Sequence, residues 1–172
     1  MDIAKTLKTA LAFERKVAET YAIAAAGASD PKGKKFLETL AAEERRHIEY
    51  LESRAAEFGR LGAVTVPALE TAVPDGGRVR RGAARLRKTM RKHASTPGRE
   101  EVALLTRVVR AEEEVTAFYR AAVAEAGGDA RKLFSRFLEI EEGHTAPAQA
   151  EPDSVTGMGF WLDVREFDLE SA

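Results

Sequence analysis

Four stretches of the chain repeat apolar residues at alternating steps of three and four, the spacing that lays a hydrophobic stripe along one face of a helix. Each opens on a helix-start signal: Asp2; Ser29 or Asp30 before Pro31; Thr96 before Pro97; and Asp129 after Gly127 and Gly128. The spacing predicts helices over about 3–26, 31–58, 98–126 and 130–146, with Pro147 ending the last. Nothing before residue 150 reads as a strand. Short connections make the first two and the last two helices antiparallel hairpins, whereas residues 59–96 are long enough to cross the length of a bundle. The expected fold is all-α: a four-helix bundle of two hairpins joined by a long crossover, occupying 1–150, with a short C-terminal tail at 151–172.

Followed residue by residue, each stripe is interrupted at its middle. The first reads Ile3, Leu7, Ala10, Glu14, Val17, Tyr21, and the second Leu37, Leu40, Glu44, His47, Leu51. The third reads Leu105, Val108, Glu112, Val115, Tyr119, and the fourth Phe134, Phe137, Glu141, His144, Ala148. A glutamate stands in every seam where a hydrophobe is expected. Two of the chain's three histidines follow a seam glutamate at i+3, on the same helix face.

The hairpins also resemble each other. FERKVAETY at 13–21 aligns with AEEEVTAFY at 111–119, and KKFLETLAAEERRH at 34–47 aligns with RKLFSRFLEIEEGH at 131–144. This pattern suggests an internal duplication, with functional residues in two matching sets. Four carboxylates converging in a bundle repel one another and lose hydration, so as bare anions they are strongly disfavoured. Two divalent cations would balance four glutamates and two neutral histidines. Oxygen and imidazole ligands suit iron, manganese or zinc.

Composition narrows the chemistry further. The chain has 172 residues, 44% of them apolar and 32% charged, and a net charge of −1, which gives no argument for binding nucleic acid or membranes. It contains no cysteine, so disulfides, thiolate metal sites, iron–sulfur clusters and cysteine nucleophiles are excluded. The N-terminus lacks the apolar run of a signal peptide and no stretch has the length of a membrane span, so a cytoplasmic location is expected.

The order Glu14, Glu44 with His47, Glu112, Glu141 with His144 resembles the ligand set of ferritin-like carboxylate proteins, in which two helices each give a glutamate and two give Glu-x-x-His. Over roughly residues 1–148 the chain looks like the rubrerythrin-like branch of that superfamily. The resemblance implies a ferritin-like fold and a non-haem di-iron centre that reduces hydrogen peroxide or oxidises ferrous iron. Glu44 and Glu141 would bridge the metals, and Glu14 and Glu112 would be terminal ligands.

Some features depart from that family. Rubrerythrin-type peroxidases commonly carry a further metal-facing glutamate one turn after the third-helix ligand, where this chain has Val115. A simpler six-ligand site, as in bacterioferritin-type centres, is the alternative. With no cysteine there is no rubredoxin domain, so electrons are expected from an external donor such as a rubredoxin-type protein or a reductase. Arg45 and Arg46 beside the second-helix motif argue against haem.

The remaining residues receive blander readings. Tyr21 and Tyr119 are candidates to hydrogen-bond a carboxylate or pass an electron, with core packing as the alternative. Glu43, Glu113, Glu114 and Glu142 neighbour the ligands but are expected to be exposed. The basic run 78–93 lacks aromatics for base stacking and is read as a solvated crossover, with His93 outside the metal site. Met158, Phe160, Trp161 and Phe167 give the tail apolar groups to lay on the bundle or a partner subunit, and a homodimer is the expected assembly. Two further functions compete with the redox enzyme: a ferroxidase feeding iron storage, and a metal-stabilised structural bundle without turnover.

Overall fold

Asp2 starts the first helix as expected, its side-chain oxygen accepting the Lys5 N–H at 3.0 Å. Asp30 does the same for the second, accepting from the Gly33 N–H at 3.1 Å. In the computed structural model, which describes residues 1–71 and 99–157, helix α1 spans Ile3–Gly27 and α2 Pro31–Leu61. Helix α3 spans Arg99–Glu125 and α4 Gly128–Gly157. No strand occurs among the described residues, and no helix among them is long and apolar enough to cross a membrane.

The chain is an all-α four-helix bundle. Helix α1 packs against α2 and α3, and α3 packs against α4. The core is built from the expected seams: Leu7, Ala10 and Val17 from α1, Leu37, Leu40 and Leu51 from α2, Leu105, Val108 and Val115 from α3, and Phe134, Phe137 and Ala148 from α4 are all buried. Ile3, at the first turn, is only partly buried against this core.

Two helix ends differ from expectation. Asp129 lies within the first turn of α4 and pairs with Lys132 at 2.8 Å, while the Gly127 carbonyl accepts the Arg131 N–H at 3.2 Å. Gly128, at φ 56°, makes the reversal that lets α4 begin two residues early. Nor does Pro147 end α4, which continues to Gly157 and so takes in the first part of the expected tail. A proline removes one hydrogen bond, here from the carbonyl of residue 143, but the turns on either side keep theirs and buried Ala148 holds the segment to the core.

The start of the crossover is pinned to the bundle. The Tyr50 hydroxyl donates to the Pro67 carbonyl at 2.8 Å, Arg136 donates to the Leu69 carbonyl through Nη2 at 2.7 Å and Nε at 3.1 Å, and Val64 is buried. The basic run 78–93, His93, the Thr96 cap and the aromatic tail residues lie outside the described residues.

Helix α2 ends at Gly62, whose φ of 68° is the left-handed conformation of a helix C-terminus and whose N–H reaches the Phe58 carbonyl at 2.8 Å. A side chain there is strained, whereas a Cβ at Gly59, inside the last turn, meets nothing within 4 Å. Gly59→Ala is expected to stabilise the protein by about 0.5–1 kcal/mol and Gly62→Ala to destabilise it by about 1 kcal/mol, as read from urea unfolding midpoints.

Candidate metal centre

Glu14, Glu44, His47, Glu112, Glu141 and His144 are all fully buried. Position along the seam explains this: each sits at the step of three or four that carries leucine or phenylalanine one turn away, so the folding of the apolar stripe takes the polar group inside with it. The imidazoles of His47 and His144 lie nearly parallel, with ring centroids 5.4 Å apart, so α2 and α4 face each other across the centre.

His47 Nδ1 lies 3.2 Å from Glu14 Oε2, 3.2 Å from Glu44 Oε2 and 3.4 Å from Glu141 Oε1. His144 Nδ1 is 2.8 Å from Glu44 Oε1, an ion-pair approach without the alignment of a hydrogen bond, and 3.8 Å from Glu141 Oε2. Glu44, His47, Glu141 and His144 each offer a ligand atom, all within 4.8 Å of one another, and so could hold a metal ion. Glu14 joins this group through His47. Glu112 is tied to it electrostatically, through His144 and Glu44.

The tyrosines are placed reciprocally. Tyr21 of α1 donates its hydroxyl proton to Glu112 Oε1 on α3, and Tyr119 of α3 donates to Glu14 Oε1 on α1. Both tyrosines are fully buried, and Tyr119 also stacks on Phe137 with centroids 5.1 Å apart. Of the two roles open to them, hydrogen bonding to a carboxylate is what the geometry displays. Each hydroxyl fixes one oxygen of a glutamate; the other oxygen lies 3.2 Å from His47 Nδ1 in Glu14 and is without a hydrogen-bond partner among the described residues in Glu112.

A cation fits this donor set on a specific observation. Among the described residues, Glu44 Oε1, Glu112 Oε2, both Glu141 oxygens and both ring nitrogens of His144 are buried without a hydrogen-bond partner. Orphaned buried acceptors are costly and rare, and here those of Glu44, Glu141 and His144 belong to the group whose ligand atoms lie within 4.8 Å of one another. Oxygen and imidazole donors with no thiolate suit iron, manganese or zinc.

The metal-free charge pattern reflects the same crowding. Burial, opposed by the nearby histidines, pushes the Glu14 carboxyl up to about 7 and that of Glu112 up to about 8. Burial and the surrounding carboxylates also drive Glu141 well above the usual range. Glu44 goes the other way: burial works against its anion, but His47 and His144 on either side hold it charged well below the usual range. Burial alone would keep His47 neutral; the Glu44 and Glu14 carboxylates overcome that and raise it to about 10. His144 is raised too, by Glu44 against the effect of burial.

Glu43 was expected on the surface and is instead fully buried, its Oε1 accepting from Arg46 Nη2 at 2.5 Å and its Oε2 lying 3.9 Å from His47 Nε2. Helix α2 buries a face wider than the seam, including Ala41 and Glu43 beside Leu40 and Glu44. The internal repeat carried the signal: position 43 aligns with Ile140, which is apolar and buried. Glu113, Glu114 and Glu142 are exposed as expected, and Val115 is fully buried in the core.

No protein-family model matches the chain, and comparisons with curated proteins and with solved structures return no match. The fold and site therefore define an all-α four-helix bundle with a buried glutamate–histidine cluster competent to hold a metal ion.

Raised carboxyl pKa values mean that the folded protein retains protons that the unfolded chain releases above about 4.5, so stability falls as pH rises toward about 8. The raised histidines act in the same direction, their contribution being lost as pH climbs from about 6.5 through about 10. Within the cluster Glu44 opposes this, and its contribution is lost on the acid side. In chelator-treated protein the urea midpoint is thus expected to drop between about pH 5 and pH 8, and added divalent cation to flatten or reverse that drop. A metal-free midpoint that rises over this range would contradict the described burial.

Proposed function

We propose that the bundle is a rubrerythrin-like, ferritin-like non-haem di-iron redox protein that reduces hydrogen peroxide or oxidises ferrous iron. The observation that carries this reading is the convergence of orphaned carboxylate and imidazole atoms in the buried seam. Glu44, His47, Glu141 and His144 would hold the metal, with Glu44 and Glu141 the proposed shared carboxylates because each lies on a helix face with a histidine, and Glu14 and Glu112 would complete the ligand set. When bound, two ferrous ions would supply redox chemistry: the two electrons that, with two protons, reduce one hydrogen peroxide to two waters.

The chain's own residues hold and shield that chemistry. Tyr119 and Tyr21 each fix one oxygen of Glu14 and Glu112 and hold a proton at it, which limits the turning of the terminal carboxylates. His47 and His144 present Nδ1 toward the glutamates. Leu40, Leu51, Val115 and Phe137 keep water from the centre. Reducing equivalents come from a separate donor, and a homodimer is the proposed assembly.

Val115 favours ferrous oxidation over a rubrerythrin-type peroxidase cycle. A fully buried apolar side chain there supplies no carboxylate to follow a shifting ion. This is the ferroxidase form of the same reading.

Anaerobic reconstitution with ferrous iron tests the proposal. Wild type is expected to retain two irons per chain and Glu44→Ala/Glu141→Ala to lose them, and peroxide or dioxygen is expected to oxidise the bound iron faster than free ferrous iron. Iron retention indifferent to the double substitution sinks the metal assignment. Retention with no accelerated oxidation sinks the redox function and leaves a metal-stabilised bundle.

A further inference from the structure

The two halves of the centre are alike in ligands but not in what stands behind the histidines. In the internal repeat, Glu44 matches Glu141 and His47 matches His144, while Glu43 matches Ile140 and Arg46 matches Gly143. Both members of the Glu43–Arg46 ion pair are therefore present in only one half. The consequence reaches the rings. Both Nε2 atoms are buried without a hydrogen-bond partner among the described residues, but His47 Nε2 has the Glu43 carboxylate at 3.9 Å, whereas the position matching Glu43 on the helix of His144 is the apolar Ile140.

A carboxylate behind an imidazole holds the proton on the far nitrogen, leaves the near nitrogen's lone pair directed at the metal, and makes that lone pair more basic. Here the near nitrogen of His47 is Nδ1, which faces Glu14, Glu44 and Glu141. The 3.9 Å separation is about 1 Å beyond a hydrogen bond, a gap that a small side-chain rotation closes. Arg46, about half exposed, pairs with Glu43 from the solvent side at 2.5 Å without entering the centre itself.

We propose that Glu43 is a positioning residue that makes the two metal positions unequal, so that the His47 half binds its ion more tightly and fills first. His144, whose helix carries Ile140 in place of that carboxylate, holds the weaker position. The inference rests on the metal reading above but concerns which half of the site is stronger. An unequal pair would let one ion remain resident while the other exchanges.

Anaerobic calorimetric titration of the full chain with cobalt(II) alone, against a competing chelator, tests this. Wild type is expected to bind in two unequal steps, with His47→Ala deleting the tighter and His144→Ala the weaker. Glu43→Gln is expected to weaken the tighter step by roughly 10–100-fold and leave the other in place. Glu43→Ile, which gives α2 the residue that α4 carries at the matching position, provides a second variant suited to a buried site and should bring the two steps together in the same way. Circular dichroism of the metal-free variants separates loss of fold from loss of positioning. Equal steps in wild type, or a Glu43 substitution that weakens both steps alike or neither, overturn the inference and leave the metal site standing. Absence of cobalt binding in wild type overturns both.

Discussion

Everything in this bundle turns on four carboxylates being taken out of water within a few ångströms of one another. Hydrophobic burial brings them in, because each shares its helix face with leucine, valine or phenylalanine that folding must hide. Once inside they cannot all be charged. The metal-free protein answers with retained protons on Glu14, Glu112 and Glu141 and with charged histidines around Glu44. Divalent ions offer the other answer, and the orphaned atoms suit them better than protons do, because a proton satisfies one lone pair while an ion gathers several.

The likeness of the two hairpins explains how the cluster keeps its shape. Each hairpin contributes one helix with a glutamate and a tyrosine and one with Glu-x-x-His, and the tyrosines reach across to the opposite hairpin's glutamate. The brace is reciprocal, so neither half can shift without breaking a buried hydrogen bond in both. Among the described residues the halves differ beside the histidines, where Glu43 and Arg46 align with Ile140 and Gly143, and at Glu14, which reaches His47 directly.

Much of this was legible beforehand, and for a clear reason. A seam step of three or four is set by helix geometry, so a glutamate that falls on it has one destination; all six proposed ligands and both tyrosines were placed this way. The misplaced residues lay where geometry says less. Glu43 is one residue off the seam, and whether that position is buried depends on how closely neighbouring helices wrap α2, which a periodic pattern does not encode. Pro147 was read by its local effect, yet packing around Ala148 outweighs one missing hydrogen bond. Asp129 looked like a cap because the left-handed turn at Gly128, which shifts the helix start, is a property of the folded loop. The pattern identified groups able to bind metal; it did not fix the chemistry done with one.

The reciprocal tyrosines also bear on the order in which the protein assembles. Contacts within each hairpin join residues close in sequence and need little loop closure, whereas Tyr21 to Glu112 and Tyr119 to Glu14 span 91 and 105 residues. The first hairpin brings Glu14, Glu44 and His47 together, but the site is completed only when the two hairpins dock. An ion held between Glu44 and His47 of one hairpin and Glu141 and His144 of the other would oppose separation of the docked halves, making the centre a clasp that lengthens the lifetime of the folded state.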